Sequence, residues 1–280
     1  MWGSQEMATI NTNAGAMVAL QSLNRTNRDL ETVQARINTG LAVGSAKDNG
    51  GVYAIAQSMR ADVRSYVAVA QSLDLSASTV DVALAGGEAI SDTLVEMKEK
   101  ALAASDTSLD QASRDALNED FKALRDQVGK IVETAEFNGT NLIDGSKSQI
   151  AALASASGSS SITIAAEDLS QGGAVVTLSA TASFASAGEA STLVATIETS
   201  LNNLNGSLAR LGTGSKSLGV HKAFIGKLSD ALETGIGNLV DADLAKESAH
   251  LQSLQVKQQL GVQALSIANA TPSTVLGYFR

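Results

Sequence analysis

Apolar residues fall alternately three and four apart along most of this chain, the spacing of a helix face that packs against another helix. The first run is Ala19, Leu23, Thr26, Leu30, Val33 and Ile37, and Gly40 follows as a C-cap. The second is the longest: Val69, Leu73, Ser76, Val80, Ala83, Gly87, Ile90, Leu94, Met97, Ala101 and Ala104. It predicts a helix of roughly 50 Å at about 1.5 Å per residue, far longer than an average globular helix of about 11–12 residues. The third is Leu117, Phe121, Leu124, Val128, Ile131 and Ala135, with Asp110 or Ser113 placed to cap its start.

The period then stops. Residues 137–190 are rich in Gly, Ser, Ala and Thr, and Asn138-Gly139 and Asp144-Gly145 are turn signals. Ile162-Thr163-Ile164 and Val175-Val176-Thr177-Leu178 read as two short strands, with Gly172-Gly173 between them as the bend of a hairpin. A flexible linker is the alternative for this stretch. Helical spacing returns at Leu193, Ile197, Leu201, Leu204, Leu208 and Leu211, then runs less cleanly through Leu218, Ile225, Leu228, Leu232 and Ile236. The last run is Val240, Leu244, Leu251, Leu254, Leu265 and Ala268, interrupted by Glu247, Gln258 and Gly261. A polar residue in such a seam costs stability but fixes register.

The predicted fold class is mainly α. Long antiparallel coiled-coil helices are formed by the N- and C-terminal halves, with a small β-hairpin-containing insert between them. Val67, Val82, Leu239, Val262 and Ile267 flank the seams, so a lone pair of helices leaves apolar surface uncovered, and further copies of the chain are the simplest cover.

Composition narrows the chemistry. Of 280 residues 44% are hydrophobic but only 3% aromatic, which suits thin Ala- and Leu-rich helix packing. A net charge of −9 without a Lys/Arg cluster argues against nucleic acid. There is no cysteine, hence no disulfide and no thiolate ligand or nucleophile. No basic-then-apolar leader stands at the N-terminus, and no apolar run is expected to reach the roughly 18–20 residues of a membrane span. His221 and His250 lie on separate helical stretches, and no metal-ligand or phosphate-loop motif is complete. Gly212-Thr213-Gly214-Ser215-Lys216-Ser217 is read as a kink or turn, and Asp241 and Asp243 as acids favoured at a helix start. No enzyme, cofactor or metal site is expected.

A set of local motifs goes further. Ile10-Asn11-Thr12-Asn13, Ile37-Asn38-Thr39-Gly40 and Ser45-Ala46-Lys47-Asp48-Asn49-Gly50-Gly51 stand near the start. Glu136-Phe137-Asn138-Gly139 follows the third run. Near the end come Asn238–Glu247 and Gln258-Gln259-Leu260-Gly261-Val262-Gln263-Ala264-Leu265. In this order the chain resembles bacterial flagellin over most of its length, in a short form lacking large outer domains.

The resemblance implies a structural subunit of the flagellar filament, exported unfolded through the flagellar type III channel and assembling for motility. It implies inner core helices from 1–44 and 238–280, an outer coiled-coil layer from 45–136 and 188–237, and a solvent-facing insert at 137–187. Implied partners are further copies, the filament cap and hook-junction proteins and an export chaperone, with no nucleic acid and no membrane insertion. A hook–filament junction protein or a non-filamentous coiled-coil adaptor is the other reading.

Leu23, Leu30, Ile37, Leu244, Leu251, Leu254 and Leu265 are expected as inner packing residues. Ser155, Ser157, Ser159, Ser160, Ser161, Thr177, Thr181 and Ser183 are candidate O-glycosylation sites. In Glu96, Lys98, Glu99 and Lys100 the chain departs from the stretch that Toll-like receptor 5 reads in many flagellins. Glu96 stands in place of an arginine and Lys100 in place of a leucine, which predicts weak recognition. Residues 1–6 extend beyond the usual start, and Trp2 is expected either to be disordered or to pack in the filament wall.

Overall fold

The computed structural model of the chain describes residues 12–277, with side chains to residue 270. Trp2 and the Ile10-Asn11 half of the first motif lie outside the described residues. Five helices and two small hairpins follow in order: α1 (Ala14–Thr39), α2 (Gly50–Ala104), α3 (Gln111–Thr134), β1 (Glu136–Phe137), β2 (Thr140–Asn141), β3 (Gln149–Leu153), β4 (Ser161–Ala165), α4 (Ala187–Val240) and α5 (Leu244–Gly277). The chain divides into two compact units, Met1–Arg60 with Leu232–Arg280, and Ala61–Ala231. The limits of these two units lie inside α2 and α4 and are a different division from the filament layers expected at 1–44 with 238–280 and at 45–136 with 188–237.

The ends of the helices carry their own chemistry. Gly40 closes α1 in the left-handed conformation, φ 72°, and its N–H donates to the Arg36 carbonyl at 2.8 Å. Of the two candidate caps for α3, Asp110 is used: its carboxylate accepts from the Ser113 N–H at 2.8 Å. Arg114, buried, turns back and donates to the Ala104 carbonyl at the end of α2 and to the carbonyls of Asp106 and Leu109 in the turn that follows.

In the larger unit every apolar residue of the long α2 run, from Val69 to Ala104, is buried. On α4, Ala190, Ile197, Leu204, Leu211, Leu218 and Ile225 recur every seventh residue, and all are buried in the same core. Phe121 of α3 fills the gap between them, with its ring edge-on to Phe184 at 5.3 Å. Between α2 and α4, Gly87 stands against Leu208: a Cβ there would lie 2.6 Å from a Leu208 methyl.

The insert departs from expectation in two ways. Ser161–Ala165 is a strand, but its antiparallel partner is Gln149–Leu153, in the register Ile150 to Ile164 and Ala152 to Ile162. Val175–Leu178 forms no strand; it lies as an extended strap that buries Val176 and Leu178. One side of the insert is buried, for Leu142, Ile143, Ala152, Ile164, Leu169 and Phe184 join the core of α2, α3 and α4.

A second line on α4 explains why. Ser200, Ser207, Gly214 and His221 recur every seven residues beside the apolar line, and each receives a piece of the insert. Thr177 N–H donates to Ser200 Oγ at 3.1 Å, and Ser207 donates to Glu167 at 2.9 Å. Ile164 sits where a Cβ on Gly214 would fall, 2.8 Å away, and His221 Nε2 lies 2.9 Å from the Ala154 carbonyl. The stretch Gly212–Ser217 is therefore continuous helix, not a turn. Its glycine at 214 makes room for a strand side chain, and no phosphate-binding loop exists there.

Among the described residues α2 is long and apolar enough, by length and composition, to cross a membrane, contrary to expectation. Its apolar line is buried in the protein core, however, and its exposed positions include Asp74, Asp81, Glu88, Asp92, Glu96 and Glu99. Such a set of acids is costly in hydrocarbon.

Candidate assembly surface

The smaller unit pairs α1 with α5 through a short seam. Leu30, Val33 and Leu254 are buried, with Ile37 and Leu251 packed against them. Leu23 and Leu265 are half-buried, and Leu23 rests on Gly261, where an added Cβ would lie 3.2 Å from a Leu23 methyl. Leu244 does not pack; it is 50% exposed. It starts α5 at the level where α1 has already ended at Thr39 and Gly40, so no helical side chain stands opposite.

Each interruption of the α5 run has a specific partner on α1. Gln258 donates to the Asn27 side-chain oxygen at 2.8 Å, Glu247 accepts from Arg36 at 3.2 Å, and Gly261 receives Leu23. Asn13 both caps α1, accepting from the Ala16 N–H at 3.0 Å, and donates to the Ala268 carbonyl at 2.7 Å. The Arg36–Glu247 contact uses one oxygen and one nitrogen, leaving Arg36 Nε and Glu247 Oε2 buried without a hydrogen-bond partner. A buried polar atom left this way costs on the order of 1–3 kcal/mol.

The two turns of this unit are laced together by backbone. Ala42 N–H donates to the Val240 carbonyl at 2.7 Å and Ala242 N–H to the Gly40 carbonyl at 2.8 Å, with Leu41 and Asp241 bridged antiparallel. Asp48 accepts from the Gly44 and Ser45 N–H groups and the Ser45 hydroxyl, and the Ser45 hydrogen bonds hold its carboxyl below the ordinary carboxylate range. Asp243 accepts from the Ala245 and Lys246 N–H groups, which is the helix-start role expected for it.

So small a seam leaves apolar surface uncovered. Met17, Val18 and Leu20 on α1, and Val256, Leu260, Val262 and Ile267 on α5, are all exposed. On α5 Val256, Leu260 and Ile267 gather on the side opposite the Leu251–Leu254 seam and Val262 flanks that seam, so apolar side chains stand on both sides of the helix. A helix apolar all round is one built to be enclosed.

In the larger unit the receptor-stretch residues divide. Glu96 and Glu99 are exposed, whereas Lys98 pairs with Glu198 at 2.7 Å and Lys100 with Asp120 at 2.8 Å. The Asp120 contact raises the Lys100 pKa. Of the candidate glycosylation residues, Ser157, Ser159, Ser160, Ser161, Thr177, Thr181 and Ser183 are exposed and Ser155 is half-buried. Ser155, Ser157 and Ser159 form a chain of hydroxyls on the loop of the β3–β4 hairpin. Thr177 is engaged with Ser200. Beside that hairpin an open cleft of about 580 Å³ is lined by Ile162 and the α4 side chains Thr213, Lys216, Val220, His221 and Phe224. Among the described residues no cluster of His, Cys, Asp and Glu is arranged to hold a metal.

These features define a helical subunit whose ends offer surface to be covered, and the comparisons with known proteins agree. Residues 10–148 match the bacterial flagellin N-terminal helical region and residues 194–279 the bacterial flagellin C-terminal helical region. Flagellin FljM of Caulobacter vibrioides is 54% identical over 272 residues, covering 97% of this chain and 98% of that protein. A flagellin of Brucella melitensis is 36% identical over 283 residues, covering 98% of this chain and all of that one. Among solved structures, a Bacillus cereus flagellin aligns with a TM-score of 0.42 at 19% identity, over 64% of this chain and 93% of that one.

The chain belongs to the bacterial flagellin family. It is a structural subunit of the flagellar filament.

Proposed function

We propose that the smaller unit is the polymerisation element, that it becomes fully ordered only within the filament, and that the chain has no catalytic activity of its own. The observation that carries this is the mismatch between its short buried seam and its exposed apolar surface. Among the described residues of these two helices only Leu30, Val33 and Leu254 are buried, which offsets little of their ordering entropy, about 1–2 kcal/mol per residue for backbone alone. Neighbouring copies supply the rest, so folding of the ends is coupled to assembly. Ends that are marginal alone also suit a chain that leaves the cell unfolded through the type III channel, attended by an export chaperone, and joins the filament between hook-junction and cap proteins. In the filament 1–44 and 238–280 form the inner helices and the seam leucines, Leu244 included, pack between copies.

Two surface properties belong to this reading. The exposed hydroxyls of Ser157 and Ser159 on the hairpin loop are the favoured place for O-linked sugar, ahead of Thr177, which already spends its hydroxyl on Ser200. The exposed Glu96 reverses a charge on which Toll-like receptor 5 relies, so monomer is a weak activator of that receptor.

Seeding purified chain with sheared filament tests the main proposal. Growth of long filaments with a gain in helical circular dichroism is expected; a chain already fully helical that never elongates seeds overturns it. Intact mass of filament protein above the bare sequence, lost on substituting Ser157 and Ser159, is the expected sign of glycosylation. Strong receptor activation by monomer overturns the immune reading.

A further inference from the structure

We infer that the acidic side of α2 in one copy docks on the basic, apolar side of α4 in a second copy, in one register. This rests on the polymer reading above and names a contact within it.

On α2, Glu88, Asp92, Glu96 and Glu99 are exposed opposite the buried Gly87, Ile90, Leu94 and Met97, and Val95 beside them is 45% exposed. On α4, Lys216, Val220, Phe224 and Lys227 recur three and four apart on the outer face; Val220 is 64% and Phe224 54% exposed beside the open cleft. Neither line has a counterpart within the unit that covers it. Each combines apolar area with charge of one sign, and the signs are opposite.

The spacings match. Glu88 to Glu99 and Lys216 to Lys227 both span about 16 Å of helix. Laid antiparallel, Glu88 meets Lys227, Glu99 meets Lys216, and Val95 meets Val220. Asp92 and Glu96 then face Ala223 and Gly219, small residues that leave their carboxylates room for water. A slip of one turn in one direction sets Glu99 against Val220 and loses a pair. In the other direction it sets Val95 against Lys216 and loses both. Like charges or bare charges against apolar groups are what exclude wrong registers.

The contact joins unlike surfaces, so each copy keeps one unused surface of each kind and the array stays open. It also keeps all copies pointing one way, because α2 and α4 are antiparallel within a copy: Asp74 pairs with Lys222, Asp81 with Ser215 and Lys98 with Glu198. By those pairs Val220 is level with Ser76 of its own chain. Setting it level with Val95 of a neighbour displaces the two copies along the helix direction by about 19 residues, or about 28 Å.

The test is seeded elongation of the full chain at low salt, followed by sedimentation, with circular dichroism as the control for folding. K216E/K227E and E88K/E99K, all exposed positions, are each expected to keep the wild-type spectrum and to elongate at least about tenfold more slowly, while the chain carrying all four substitutions returns to within about twofold of wild type. A mixture of the two double variants co-sediments as filament. In a filament reconstruction, adjacent copies joined through α2 and α4 are staggered by about 28 Å. Double variants that elongate like wild type, or a fourfold variant no faster than either, overturn the inference while leaving the polymer reading intact. A wild-type chain that does not elongate seeds overturns the polymer reading itself.

Discussion

The two units of this flagellin pack helices by the same rule and end with opposite results. In the larger one, α2, α3, α4 and the insert close around one continuous core, including the large side chains Phe121, Phe184, Leu94 and Ile197. In the smaller one, α1 and α5 share three buried residues and show apolar side chains on their remaining faces. Helix formation is not what separates them. The difference is a third layer: the insert supplies it in one unit, whereas among the described residues nothing covers the exposed apolar faces of α1 and α5 in the other.

Substitutions that thin the closed core should test this contrast most strongly. Phe121→Ala removes the ring against Phe184 and is expected to destabilise the larger unit by about 3–5 kcal/mol, read in the soluble chain by urea unfolding. Leu30→Ala in the open seam should barely move that transition and should instead raise the concentration needed for seeded growth. If both act alike on the soluble chain, the contrast between the units fails.

Overpacking comes next. Gly87→Ala drives a methyl into Leu208, and a loss of about 1–3 kcal/mol is expected in the same unfolding experiment. A smaller effect is expected from the tie between insert and helix. Arg210 forks onto Glu167 at 2.7 and 2.6 Å, and this contact holds the Glu167 carboxyl below its usual range. A carboxyl whose pKa is lower folded than unfolded adds stability above its unfolded value and loses it as pH falls through the folded one. Wild type should therefore melt above Glu167→Gln at neutral pH, and the two melting curves should converge as the solution is acidified below the ordinary glutamate range. A gap that persists in acid would show that Glu167 acts through shape and not charge.

The smallest effect is expected at Gln258→Leu. It removes the bond to Asn27 at a cost of about 1 kcal/mol or less, and is best seen as mixed filament forms in electron microscopy.

Much of this organisation was legible as periodicity. Buried residues of α2 and α4 recur at the spacing the sequence displays, and Gly40, Asp110 and Asp243 act at the helix ends as their residue types suggest. The insert was misread because strand propensity does not name a partner. Val175–Leu178 is rich in β-branched residues, yet its alternate side chains are buried against a helix, while the plain Gln149–Leu153 became the strand. The signal that placed the insert was present on α4, in the recurrence of Ser200, Ser207, Gly214 and His221, but small and polar residues at seven-residue spacing look like weak seam positions until something is seen to sit on them. The acids of α2 and the Lys216–Lys227 line of α4 stand in the same sequence, but a charge run on a helix reads as a solvated face until the fold shows what lies beside it.

Asn27–Gln258 and Arg36–Glu247 stand well apart along one seam, and between them they make the pairing of α1 with α5 a vernier. Apolar side chains tolerate sliding by a heptad, since one leucine fits where another did. Two polar marks at fixed separation do not coincide again after such a slide. A newly arriving subunit can therefore be seated greasily but wrongly only for as long as it takes those marks to miss each other. Fidelity at the growing tip would then be written into four side chains of the subunit and not left wholly to the machinery that delivers it.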